Sequence, residues 1–158
     1  MVEDAKFEDA GGAPIQLKAM DTDDLQVISA LAQDAIFPAS EMTWDHKGRR
    51  FALLLNRFRW EDVDENQNRK RDFERVQSVL VINDVLKVST QGVDRQDADM
   101  IMSLLSLSFE PGEDGMGRLE LTLAGDGAIA LDVEALDVTL KDVTRPYIAP
   151  SHHKPSHD

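Results

Sequence analysis

Residues 49–61 read RRFALLLNRFRWE. Four arginines, Arg49, Arg50, Arg57 and Arg59, are threaded here through aliphatic and aromatic side chains. Side chains alternate between the faces of a β-strand, so one strand over residues 50–60 sorts them into two sets. Phe51, Leu53, Leu55, Arg57 and Arg59 share one face, and Ala52, Leu54, Asn56, Phe58 and Trp60 share the other. Both sets begin apolar, which predicts burial on both sides over the first half of the strand. The two arginines then follow the apolar stripe out to the rim of the sheet, with Phe58 and Trp60 emerging opposite. EMTW precedes this strand and DHKG lies between them, so the unit reads as a β-hairpin with Gly48 supplying the positive φ of its loop.

Upstream, PIQLKAM alternates Ile15, Leu17 and Ala19 as a short strand does. Leu25, Ile28, Leu31, Ala32 and Ala35 then recur at helical spacing. Asp21 or Thr22 caps this helix, Asp23 and Asp24 suit the positive end of its dipole, and Pro38 ends it. Downstream, residues 61–72 are polar apart from Val63 and read as a charged loop. FERVQSVLVINDVLKVSTQG is rich in β-branched residues and reads as one long strand with a bulge near Asn83 and Asp84, or as two strands meeting there. DADMIMSLL suits a short second helix over about 97–103 capped by Asp97. Leu105, Leu107 and Phe109 share a face, as do Leu119, Leu121 and Leu123. Residues 134–143 fit a strand, in a phase opposite to Ile129, Leu131 and Val133, about as well as a helix; a bulge at Glu134 and Ala135 would join the two strand phases.

These elements predict an α+β fold, an antiparallel sheet or two packed sheets with one main helix over about 22–35. The order strand, helix, hairpin occurs in 15–60 and again in 76–124, which suggests an internal duplication. The domain spans 14–145, between a disordered acidic arm at 1–13 and a flexible tail at 146–158 that holds three prolines and three histidines. The expected core includes Leu25, Ile28, Phe51, Leu53, Leu55, Val79, Val81, Leu107, Phe109, Leu121 and Leu131.

The 158 residues carry 30 acidic and 17 basic side chains, for a net charge of −13. That charge disfavours nucleic acid and anionic membrane surfaces as partners. There is no cysteine, which removes disulfides, thiolate catalysis and cysteine-held metals. No apolar run approaches a membrane-spanning length, and the polar N-terminus lacks the pattern of a secretory signal. A cytoplasmic location is expected.

Candidate chemistry is sparse. His152, His153 and His157 lie in a His-rich tail of the kind that can hold transition metals, but a flexible site loses affinity to ordering entropy, and His46 reads as a turn residue. Acid pairs such as Asp23–Asp24, Glu61–Asp62 and Glu113–Asp114 lie in segments that read as solvated. GEDGMG and AGDGA lack the helix and lysine of a phosphate-binding loop. Ser29, Ser40 and Ser106 lack a nucleophile-elbow setting. No catalytic residue, cofactor or metal is expected.

The blocks ISALAQDAI, RRFALLLNRFRWE, FERVQSVLVINDVL, LLSLSFEPGE and LTLAGDGAIALDVEALDVTLKDV together resemble the bacterial domain-of-unknown-function family 2948. The resemblance runs in order over nearly all of 15–145, with NRFRWE and SLSFEPGE its most specific parts. The acidic arm and the histidine tail lie outside it. It implies a small, single-domain, cytoplasmic bacterial protein and carries no activity, cofactor or site residue.

The charge is unevenly distributed. Between Lys47 and Arg75 nine basic residues face six acidic ones, so that window is +3 and the remainder −16. Arg57 and Arg59 either pair with the chain's own carboxylates or face a partner. In the second case Arg49, Arg50, Arg57, Arg59, Trp60, Arg69, Lys70 and Arg71 form an Arg/aromatic binding face, the residue types enriched at interaction hot spots. The leading functional expectation is a non-enzymatic protein-interaction or assembly module with an acidic protein partner. The alternatives are a small domain binding an anionic ligand or RNA through the same arginines, and an enzyme of unrecognised type.

Overall fold

The computed structural model describes residues 14–60, 74–94, 96–143 and 147–148. The acidic arm, the 61–72 loop with Arg69, Lys70 and Arg71, and the tail histidines lie outside them. The chain runs β1 (Gln16–Ala19), α1 (Thr22–Leu31), β2 (Ala35–Pro38), a 3-10 turn (Ala39–Glu41), β3 (Met42–Asp45) and β4 (Arg50–Phe58). It continues β5 (Glu74–Ile82), β6 (Val85–Gln91), β7 (Ile101–Pro111), β8 (Gly117–Leu123), β9 (Gly127–Val133), β10 (Val138–Asp142) and β11 (Tyr147–Ile148). Every recorded strand pair is antiparallel, in the order β1-β10-β5-β4-β2-β7-β8-β9-β6, with β3 beside β4 and β11 beside β5.

That order cannot lie flat. Asn83 and Asp84 join β5, third along the path, directly to β6 at its far end. The Val85 N–H donates to the Arg49 carbonyl at 2.9 Å, and the Asn83 N–H to the Asp137 carbonyl at 3.0 Å. The sheet therefore curls into two facing walls, β1-β10-β5-β4-β3 and β2-β7-β8-β9-β6. Their joint is narrow: between β2 and β4 the only recorded pair is Ile36 with Asn56. Phe51, Leu53, Leu55, Leu80 and Leu140 of one wall share a single buried cluster with Leu104, Leu119, Leu121, Ile129 and Leu131 of the other. Leu25 and Ile28 join that cluster from α1, which lies against β1 and β7.

Several sequence expectations change. The helix is capped by the Asp21 carboxylate, which accepts from the Asp24 N–H at 2.8 Å, but it stops at Leu31. Ala35 and Phe37 are needed as the buried positions of β2, which pairs with β7, so Pro38 closes a strand rather than the helix. No second helix occupies 97–103: residues 97–100 form a turn, and Ile101 opens β7. The period there is a strand period broken by a bulge between Leu104 and Ser106. Leu104 and Leu107 point inward and Leu105 is left exposed. The second strand-helix-hairpin unit thus lacks a helix in the expected place. The positive φ of the β3–β4 hairpin falls on Arg49 (55°), while the Gly48 N–H donates to the Asp45 carboxylate.

Residues 74–91 form two strands, turning at Asp84 with φ 59°. Residues 138–142 are strand, and the phase change after Val133 marks passage from one wall to the other rather than a bulge. Val79 and Val81 are half-buried on the outer face, because Val76, Ser78, Leu80 and Ile82 take the inner one. Phe109 packs half-buried at the edge of the core. Tyr147 and Ile148, expected in the tail, pair with Arg75 and Glu74. Among the described residues no helix is long and apolar enough to cross a membrane.

Candidate functional site

The inner face of β4 begins with Phe51, Leu53 and Leu55 and continues into Arg57, whose relative exposure is 0%. The register places Leu55 beside Ser78 of β5, and Ser78 beside Asp142 of β10. The guanidinium of Arg57 reaches across β5 and donates from Nη2 to both Asp142 oxygens, at 3.0 and 3.2 Å. Its Nε donates to Ser78 Oγ at 3.0 Å, and that hydroxyl donates to Asp142 Oδ1 at 2.7 Å. Asp142 Oδ2 also accepts from the Ile15 N–H at 2.9 Å. Arg59 adds an ion-pair contact to Asp142 at 3.7 Å and one to Glu74 at 3.9 Å.

This network ties β1, β4, β5 and β10 together at the polar end of one wall. The Arg57 and Asp142 side chains have no exposed surface, so they offer nothing to a ligand. Buried pairs cost desolvation and are held by good geometry and further hydrogen bonds, which Ser78 and the Ile15 amide supply. Arg57 and Arg59 do not reach the rim; their stripe stays covered to its end. The internal-pairing alternative describes these two arginines, with Asp142 as the main carboxylate.

Among the described residues, Arg49 and Arg50 do not converge with them. Arg49 is exposed and pairs with Glu134 at 3.0 Å. Arg50 Nε donates to Asn83 Oδ1 at 3.3 Å. At about 3.3 Å per residue, Arg50 and Arg57 lie about 23 Å apart along β4. Trp60 donates from Nε1 to the Gln33 carbonyl at 2.8 Å and packs against Phe58, with ring centroids 5.4 Å apart. Arg75 stacks over the Phe58 ring at 3.9 Å. Arg69, Lys70 and Arg71 lie outside the described residues.

The surface that stands out is the other side of the same wall. Register carries Lys141 beside Val79 and Val79 beside Leu54. In the adjacent row Lys18, Thr139, Val81, Ala52 and Thr43 are neighbours. Ala52, Leu54, Val79 and Val81 are only half-buried, and Ile36 and Ile101 at the border are 37% and 62% exposed. The basic side chains of this face are Lys18, Arg50, Arg75 and Lys141; its acids are Asp45, Asp137 and, at the border with β2, Glu41. Asp137 lies 3.8 Å from Lys18, and Asp45 is engaged by the Gly48 amide. An apolar centre with a basic margin thus sits on a strongly acidic chain.

At that centre the sheet has a notch. β3 pairs with β4 as far as Leu53 and β2 takes over at Asn56, so Leu54 and Leu55 have no strand partner on that side. The result is a cleft of about 250 Å³ lined by Ile36, Phe37, Pro38, Leu54, Leu55 and Ile101, with Glu41, Asn56 and Gln77 as its polar members. The outer face of the second wall is different. Its neighbours Glu110, Arg118, Asp132 and Lys87 alternate in sign across four strands, and Arg118 pairs with Asp132 at 3.2 Å. That row is solvated and self-balanced.

A second cleft, of about 260 Å³, opens between the outer strands β3 and β6 and is lined by Met42, Trp44, Phe51, Val88 and Thr90 among others. Its lining offers the Ser40 and Thr90 hydroxyls but no titratable side chain. Among the described residues no group of three or more metal-ligating side chains is gathered.

Sequence reasoning missed Asp142, Ser78, Lys18 and Lys141. A signal for Asp142 was present: it is in phase with Val138 and Leu140, as Arg57 is with Leu53 and Leu55. The basic margin had no such signal, because Lys18 and Lys141 are 123 positions apart in sequence.

A model of the family described as "Protein of unknown function (DUF2948)" matches residues 15–157. The match runs through the C-terminal histidines that the resemblance had left outside. Comparison with curated proteins and with solved structures gives no match.

Proposed function

We propose that this chain, which belongs to the family described as "Protein of unknown function (DUF2948)", is a non-enzymatic protein-interaction module. It docks an acidic, partly apolar protein partner on the outer face of β1, β10, β5 and β4. The observation that carries this reading is the contrast between that face and the rest of the surface: an apolar stretch with a notch at one side and Lys141 and Lys18 at the other, on a chain of net charge −13. Docking surfaces combine such an apolar core with a charged rim, and complementary charge sets partner choice and encounter rate. Nucleic acid, with about one negative charge per 1.7 Å of duplex, would meet the repulsion of the whole chain more strongly than an acidic, partly apolar protein segment, which places it behind a protein.

The test is capture from native lysate by immobilised wild type and by the Lys18→Glu, Lys141→Glu double variant, at low and high salt. Both lysines are exposed, so the variant keeps the circular dichroism spectrum of the wild type. The expected result is an acidic protein recovered by wild type at low salt and lost from the variant. Equal recovery by both would contradict the proposal, and recovery of RNA in place of protein would favour the anionic-ligand reading.

A further inference from the structure

The notch and the lysines have a fixed separation, and that separation constrains what fits. This step rests on the docking face just proposed and specifies its ligand. Lys141 is two strand spacings from Leu54, in one register row. With strands about 4.8 Å apart, the lysine Cα lies about 10 Å from the wall of the notch. Lys18 is one strand further and two residues along the sheet, about 16 Å from the same wall. An extended peptide laid across the strands advances about 3.3 Å per residue. A side chain seated in the notch is then about three residues from Lys141 and about five from Lys18.

We infer that the face recognises a short extended segment in which one large apolar side chain enters the notch and acidic residues three to five positions to one side meet Lys141 and Lys18. The apolar lining by Ile36, Phe37, Pro38, Leu54 and Ile101 suits an aliphatic or aromatic anchor, the kind of residue that dominates binding at such pockets. Lys141 is exposed, and no ion pair is recorded for it among the described residues, so its ammonium group is available. Glu41 at the cleft rejects a carboxylate in the anchor position, which enforces the order of apolar and acidic residues.

The test is panning of random displayed dodecapeptides on the immobilised full chain, followed by affinity measurement of the enriched peptides. The expected sequences share one large apolar residue with Asp or Glu about three to five positions away on one side. Their binding weakens by about tenfold or more with Ile101→Ser, which removes an exposed apolar wall of the notch, and with Lys141→Glu, and is retained by Lys141→Arg. Acidic peptides that need Lys141 but show no fixed spacing, or ignore Ile101→Ser, would overturn this inference and leave acidic docking intact. The absence of any peptide dependent on Lys141 would overturn both.

Discussion

At the scale of single residues, the arginines of the opening stretch have two fates. Arg49 and Arg50 are exposed near one end of β4, each with a partner from another strand or turn. Arg57 and Arg59 are enclosed at the other end around Asp142. Replacing Asp142 by Ala leaves a buried guanidinium without its main counter-charge and releases the Ile15 amide. A loss of about 3–5 kcal/mol is expected in urea denaturation, the range for breaking a buried pair on one side. Replacing the pair together, Arg57→Met with Asp142→Leu, costs less than Asp142→Ala alone, since no charge is stranded. Arg57→Glu with Arg59→Glu sets carboxylates against Asp142 and unfolds the wall, so it reports on stability and not on binding. Surface exchanges such as Lys141→Glu stay within about 0.5 kcal/mol of wild type.

At the scale of elements, the β7–β8 hairpin shows how closely backbone and ring can pack. A Cβ on Gly117 would lie 2.5 Å from the Phe109 ring and 2.6 Å from the Glu110 carbonyl. Gly117→Ala is therefore expected to cost about 1–3 kcal/mol, read as a lower thermal midpoint. Local pattern made much of the architecture legible: the alternation of β4, β8 and β9, the Asp21 cap, and the hairpin at 41–58 are all in the sequence as they are in the fold. What failed was decided by distant pairing. Residues 101–103 suit a helix in isolation, but β2 and β8 pair with β7 and draw them into strand. Ala35 matches the helical stripe, but opposite Leu104 it serves β2. Val79 and Val81 look like core because their strand is apolar on both faces, and only the register shows which face is inside. The proposed docking face was illegible for the same reason: Lys18, Lys141, Leu54 and Val79 come from four strands and meet only through the sheet order.

At the scale of the whole molecule, the curl of the sheet gives two walls with different exteriors. The second wall alternates charge along one cross-strand row, while the first sets an apolar stretch between a notch on one side and Lys141 and Lys18 on the other. On the proposed reading, a basic, half-apolar face on an acidic chain takes a partner of the chain's own charge sign, docked where that sign is locally reversed. The most direct measurement is lysine footprinting by acetylation and mass spectrometry, on the free protein and on its complex with a captured partner or selected peptide. Lys18, Lys47, Lys87 and Lys141 are all exposed and spread over the described surface, so each serves as a reporter. The account predicts that the complex slows modification of Lys18 and Lys141 and leaves Lys47 and Lys87 as reactive as before. Protection of Lys87 on the second wall, with Lys18 and Lys141 unchanged, would contradict it.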